Sequence, residues 1–250
     1  GNTRLSQAIK IIMNSFYGVL GTTGCRFFNQ ELSQTITETG QHIFRLTRDH
    51  IEQAHGYRVI YGDTDSLFVL LGPGFESQAG DIGRQIAART TEWLTAELAR
   101  AYQVESALEL EFETHFRHFL IPAVRGGGEG SKKHYCGRVE TGEGRRLLFK
   151  GMESVRTDWT ELAKQFQQEL CRRLFDKEDV DEYILGLVTA MRRGELDEKL
   201  VYRKRIRKAL DSYVGGVPPH VQAARLLDEA PRMIRYVITT HGPQPVGRVS

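Results

Sequence analysis

The sequence predicts an α+β protein: an antiparallel sheet backed by helices, with one helix ahead of the sheet and a mainly helical segment after it. Three observations carry this. In residues 57–71, YRVIYGDTDSLFVLL, two apolar runs flank a tight Gly-Asp-Thr-Asp-Ser turn, the pattern of a β-hairpin. Residues 108–116, LELEFETHF, place Leu108, Leu110 and Phe112 on one side and Glu109, Glu111 and Glu113 on the other, the period of a strand. Elsewhere apolar residues recur at helical spacing, as in Leu162, Phe166, Leu170 and Leu174.

Residues 4–20, RLSQAIKIIMNSFYGVL, read as a helix with Lys10, Asn14 and Tyr17 inside one face about 60° wide. Ile11, Ile12 and Phe16 occupy its other faces and are expected to pack inward. A cation, an amide and an aromatic plane on one face suit a nucleotide, and equally suit a solvated helix with a half-buried tyrosine. Residues 22–29 form a glycine-containing connector. Residues 31–55 form an amphipathic helix, with Leu32, Ile36, Ile43, Leu46 and Ile51 near one face, and Gly56 stands where a glycine ends a helix. The hairpin follows at once, so this helix is expected beneath it. Residues 77–102 give another helix, with Ile82, Ile86, Trp93, Leu94 and Leu98 as the buried stripe. The row of glutamates at 109–113 is ordinarily a solvated sheet face. Residues 125–133, RGGGEGSKK, make a glycine loop running into two lysines, without the Gly-Lys-Ser/Thr that ends a Walker A loop. Beyond Trp159 come helices at 161–175 and 181–193, the basic run YRKRIRK at 202–208, Pro218-Pro219, a short helix at 220–228 and a strand at 234–240.

The composition is that of an ordinary globular protein, 250 residues with 40% hydrophobic and 26% charged residues and a net charge of +2. The distribution of charge says more than the sum, because residues 192–208 hold eight basic and three acidic side chains. No apolar run approaches the length of about 18 residues that a membrane span needs, and no signal peptide is expected at the start. Cys25, Cys136 and Cys171 have neither zinc spacing nor a disulfide framework, so a reducing cytoplasm is the expected compartment.

Asp63 and Asp65 lie two positions apart in the hairpin turn, which can bring both carboxylates towards one point. Mg²⁺ takes oxygen ligands, commonly one or two carboxylates with substrate phosphates and water. A plain surface turn uses the same residue types. Strands followed by Asp-x-Asp also occur in haloacid-dehalogenase-like phosphatases and nucleotide-sugar transferases, where the motif sits among alternating strands and helices. Here a second apolar strand follows directly.

The segment KIIMNSFYG resembles motif B of family B DNA polymerases, through Lys10, Asn14, Ser15, Tyr17 and Gly18. YGDTDS, residues 61–66, resembles motif C of the same family, and the order and separation of the two motifs agree. Lys132, Lys133, His134 and Tyr135 resemble the family's Lys-Lys-Arg-Tyr motif, with His134 replacing a permanent cation by a titratable ring. LLFKGMESVRTD, residues 147–158, resembles the segment that follows it, through Lys150, Arg156 and Asp158. VYRKR and VPPHVQAARLLDE are similar to bacterial members of the family, so the resemblance spans essentially the whole chain. The link at 228–234 is shorter than in such members.

The resemblance implies that residues 1–30 end the fingers, 31–157 form the palm around hairpin 57–71, and 158–250 form the thumb. It implies template-directed transfer of deoxynucleotides to a primer 3′-hydroxyl with two Mg²⁺ ions, or Mn²⁺ in their place. Asp65 is then the main catalytic and metal-binding carboxylate, Asp63 a supporting one and Glu113 a further ligand. Lys10, Asn14, Tyr17 and Thr64 would meet the nucleotide. Lys132, Lys133, Tyr135, Lys150, Arg156, Arg203, Lys204 and Arg205 would meet primer–template DNA. The implied partners are that DNA, deoxynucleoside triphosphates and a sliding clamp reached through parts outside this chain, in a bacterial cytoplasm and with no membrane. Family members complete the metal site with an aspartate of motif A, upstream of motif B, and carry an exonuclease domain further upstream. Neither is found before Lys10. The chain is therefore expected to be an inactive piece of a longer repair or lesion-bypass polymerase. A DNA-binding remnant and an Asp-x-Asp phosphatase are the competing readings.

Overall fold

The structure, a computed structural model, describes residues 3–123, 130–131, 133–142 and 144–248. The chain divides into two compact units, Gly1–Thr114 and His115–Ser250. Among the described residues the strands form three separate antiparallel sheets, one in the first unit and two in the second.

The first unit contains α1 (Thr3–Leu20), α2 (Gln30–His55), the hairpin β1 (Arg58–Asp63) and β2 (Ser66–Leu70), and α3 (Ala79–Tyr102). Asn29 caps α2 by accepting from the Leu32 N–H at 2.9 Å, and Gly56 closes it at φ 72°. Ile51 of α2 and Ile86, Leu94 and Leu98 of α3 are buried, and His50 stacks on Trp93 with centroids 3.9 Å apart. The inward packing expected of Ile11, Ile12 and Phe16 is not found: they are 61%, 58% and 66% exposed. The physical reason is that α1 meets α2 near its C-terminal end, where the Asn29 N–H donates to the Leu20 carbonyl. Among the described residues nothing covers the earlier turns.

The strand expected at 108–116 is also absent. Its alternation survives in part as orientation: Leu110 and Phe112 turn in, Leu108 does not, and Glu109, Glu111 and Glu113 stay exposed. The segment lies along α3, where the Leu110 N–H donates to Thr91 Oγ1 at 3.0 Å and the Phe112 ring covers Gly83. A strand needs a backbone ladder, and the neighbour here is a helix.

In the second unit, β3 (His118–Leu120), β4 (Tyr135–Thr141) and β5 (Gly144–Lys150) form one sheet in that order. Helix α4 (Glu161–Asp176) packs on it. Thr160 caps the helix, and Cys136 of β4 donates to Cys171 of α4 with sulfurs 3.0 Å apart in a buried cluster with Met152. The Arg138 side chain is also buried. Its guanidinium is satisfied by Asp176 at 2.8 Å and the Arg172 carbonyl at 3.2 Å, as a buried charge must be. Helix α5 (Asp181–Arg192) follows. The second sheet, β6 (Tyr202–Arg205), β7 (Met233–Thr239) and β8 (Gly242–Pro245), is covered by α6 (Pro219–Ala224). Ala223, Ala224, Ile234 and Tyr236 form its core, and Tyr202 stacks on Tyr236. The short helix and β7 match expectation. Strands β6 and β8 are additions to a segment read as mainly helical.

Along α4, Arg172 and Arg173 bind Glu169 and hold its carboxyl down to about 2, from an ordinary 4.5. A depressed carboxylate stabilises the fold above its unfolded pKa and stops doing so as pH falls through the folded one. The melting temperature of the chain should therefore drop between pH 4.5 and about 2. In thermal melts followed by circular dichroism, Glu169→Gln should shrink that drop. An identical acid profile in both proteins would contradict this role.

Candidate functional site

The hairpin pairs Arg58 with Leu70 and Asp63 with Ser66, leaving Thr64 and Asp65 as a two-residue loop. The register shifts between Val59 and Tyr61, so Ile60 is a bulge. Thr64 has φ 51°, and the Asp65 N–H donates across it to the Asp63 carbonyl at 2.5 Å. A β-branched residue in that region is strained by about 1–3 kcal/mol and persists only where its surroundings impose it.

Those surroundings include α2. The Glu52 carboxylate accepts from the Val59 N–H at 2.9 Å. The Phe44 ring presses against residue 62, where a Cβ would fall 2.0 Å from Phe44 Cζ, so only glycine fits without displacement. At the tip, Thr64 Oγ1 donates to Asp63 Oδ1 at 3.2 Å and Ser66 Oγ to Asp65 Oδ1 at 3.4 Å. Asp63 is half-buried, and Thr64 and Asp65 are exposed. The tip thus offers hard oxygen donors on a seated hairpin, a donor set that fits Mg²⁺ when phosphate oxygens and water fill its other positions. Among the described residues no group of three or more His, Cys, Asp or Glu could hold a metal ion. Glu113, exposed on the extended segment after α3, does not join Asp63 and Asp65 in such a group.

Lys10, Asn14 and Tyr17 are exposed on α1, and the Tyr17 hydroxyl lies 2.8 Å from Thr37 Oγ1 of α2. In the second unit, Lys132 falls outside the described residues. Lys133 is exposed at φ 65°, with its carbonyl against Gly151. His134 Nδ1 lies 2.8 Å from Ser131 Oγ. Tyr135 and Lys150 are cross-strand partners at one end of the β4–β5 pair.

Arg156 and Lys204, 46 positions apart in sequence, are brought together on one carboxylate. Arg156 donates to both oxygens of Asp158 at 3.0 and 2.9 Å, and Lys204 Nζ to one of them at 3.1 Å. Arg156 and then Lys204 hold the Asp158 carboxyl far below the usual carboxylate range. Arg203 and Arg205 instead project from the exposed face of β6. Sequence reasoning missed Arg235, which lies directly opposite Arg203 on β7 and is also exposed. Like charges directly opposite on a sheet destabilise it, so a polyanion that covers them would relieve a cost inherent in the fold. The alternation of Ile234 and Tyr236 around Arg235 is visible in the sequence; the register that sets it against Arg203 is not.

The chain matches DNA polymerase family B over residues 4–240 and belongs to that family. It is 51% identical to DNA polymerase II of Escherichia coli (strain K12), over 98% of this chain and 33% of that protein. It is 29% identical to the DNA polymerase of Pyrococcus glycovorans, over 97% of this chain and 30% of that protein. The fold is similar to that of the family B DNA polymerase from the hyperthermophilic archaeon Pyrobaculum calidifontis. The TM-score is 0.52 at 24% identity, covering 98% of this chain and 30% of that one. The chain therefore spans about a third of the length of the curated relatives it matches.

The seating of the hairpin can be tested away from any activity. Gly62→Ala should destabilise the chain by about 1–3 kcal/mol in denaturant melts, the usual cost of overpacking. Phe44→Leu in the same protein should recover part of the loss. A Gly62→Ala protein as stable as the original would show that the ring does not seat the strand.

Proposed function

We propose that the chain is the fingers-end, palm and thumb portion of a template-directed DNA polymerase, with boundaries near residues 30 and 157. The observation that carries the proposal is the Asp63-Thr64-Asp65 tip, strained at Thr64 and seated on Phe44, in a chain of this family. In the reaction, the primer 3′-hydroxyl gives up its proton to water, and its oxygen forms a bond to the α-phosphorus of a deoxynucleoside triphosphate. The bond to the bridging oxygen breaks, and pyrophosphate leaves with its electron pair. Two Mg²⁺ ions, or Mn²⁺, supply charge stabilisation at the attacking and leaving oxygens when bound.

Asp65 presents the exposed carboxylate for these ions, and Asp63 supports it, oriented by the Thr64 hydroxyl. Thr64 keeps the two carboxylates on one turn at the edge of the nucleotide. Lys10 holds triphosphate oxygens as a mobile point charge, and Asn14 supplies an amide beside it. Tyr17, tied through its hydroxyl to Thr37, offers a fixed ring to the new base pair by packing. Base pairing selects the nucleotide, so the protein needs shape more than base-edge contacts. Arg203, Arg205 and Arg235 meet backbone phosphates, together with Lys133, Tyr135 and Lys150 and with Arg156 and Lys204. Such contacts give salt-dependent, sequence-independent affinity.

As the resemblance to the family implies, we place a further metal ligand on a motif A upstream of motif B, and read the chain alone as inactive. A repair or lesion-bypass role in a bacterial cytoplasm is part of the same proposed reading, and the likeness to a bacterial relative supports its bacterial part. No helix among the described residues is long and apolar enough to cross a membrane.

Primer extension with Mg²⁺ tests the reading, using this chain and a longer polypeptide extended upstream through motif A. The longer form should extend the primer, and Asp65→Asn should lower its rate about a hundredfold or more, the scale of losing a group that stabilises transition-state charge. Extension by the short chain, lost with Asp65→Asn, would overturn its assigned inactivity. Duplex binding without extension by either form would favour a DNA-binding remnant.

A further inference from the structure

The second unit treats its basic residues in two ways. Arg203, Arg205 and Arg235 stand on an exposed sheet face with no carboxylate partner among the described residues. Arg156 and Lys204 do not. The Arg156 guanidinium is bound edge-on by both oxygens of Asp158 and lies 6.0 Å from the Trp159 ring centroid, while Lys204 reaches the same carboxylate from β6. A bidentate arginine and a lysine on two oxygens of one anion is the arrangement these cations adopt on a backbone phosphate. Asp158 is only half-buried, and its partners are about half exposed. An ion pair so placed is weak enough to exchange with an external anion.

We propose that Asp158 is an internal stand-in for a DNA phosphate: it occupies Arg156 and Lys204 when no duplex is bound, and a duplex phosphate displaces it. The inference rests on the reading of the second unit as a DNA-contacting surface, and adds that its grip is deliberately partial. Arg203, Arg205 and Arg235 attract the duplex from the start. Arg156 and Lys204 engage only against competition from Asp158, which shortens the lifetime of each contact. An enzyme that must step along its duplex after every addition benefits from contacts of that kind.

The test is fluorescence anisotropy with a labelled primer–template duplex, titrated with the full chain at several NaCl concentrations. Asp158→Asn should tighten binding about threefold to fivefold, the equivalent of one exposed ion pair. It should also steepen the salt dependence by about one phosphate equivalent. Asp158→Glu should behave like the original chain. Asp158→Asn should have no effect when added to Arg156→Gln/Lys204→Gln. A second comparison leaves Asp158 in place, so that folding of the Asn variant is not needed: Lys204→Gln should weaken binding less than Arg203→Gln. Weaker or unchanged binding with Asp158→Asn, or an equal or larger loss with Lys204→Gln than with Arg203→Gln, would overturn the inference. Failure of the unaltered chain to bind duplex at all would overturn the DNA-contact reading itself, and the inference with it.

Discussion

The contact between the Phe44 ring and the bare backbone of Gly62 is the constraint on which the rest of the site depends. It joins α2 to β1 one residue before the first acidic position. The Glu52 carboxylate on the Val59 N–H holds the other end of the strand. With the strand pinned at both ends and paired to β2, the loop has two residues in which to reverse, and Thr64 is driven into a conformation that a β-branched residue avoids. Local strain is thus the consequence of tertiary seating. Its result is that two carboxylates and two hydroxyls occupy one short tip. A freely chosen turn would place glycine or asparagine there.

Charge is organised differently in the second unit. The buried cation Arg138 is paired with Asp176, because a buried charge left unpaired is costly. On the surface, the β6–β7 sheet sets Arg203 against Arg235 with no carboxylate partner among the described residues, while Asp158 collects Arg156 and Lys204. Simple counting of basic residues therefore misstates how much positive charge an approaching polyanion meets. The placement of a single carboxylate separates the open cations from the occupied ones.

Much of this was legible in the sequence where local physics decides. The helix stop at Gly56, the acidic turn and the apolar stripe of α3 follow from local pattern, whereas Leu32 and Ile36 of the α2 stripe and Leu174 of the α4 stripe stay exposed. Expectation failed where the neighbour decides. Residues 108–116 alternate as a strand does, but alternation reports which side is covered, and a helix can cover it as well as a sheet. Ile11, Ile12 and Phe16 have the composition of a packed helix, yet packing requires a surface to meet. Arg235 and the Asp158 triad were missed for the same reason, because cross-strand register and a contact across 46 positions leave no mark in local pattern. At the hairpin, the shared turn of Asp63 and Asp65 was readable from local spacing, whereas the placement of Glu113 depended on a strand that does not form.

The central claim is that the hairpin tip is the metal-holding element. The most direct measurement is to titrate Mn²⁺ into isotope-labelled chain and follow paramagnetic broadening of the amide resonances. Weak binding suffices for this readout, so it does not depend on a complete ligand set. The account predicts broadening centred on residues 62–66 and lost in Asp65→Asn. Broadening spread evenly over surface carboxylates, or centred elsewhere while the hairpin stays sharp, would contradict it.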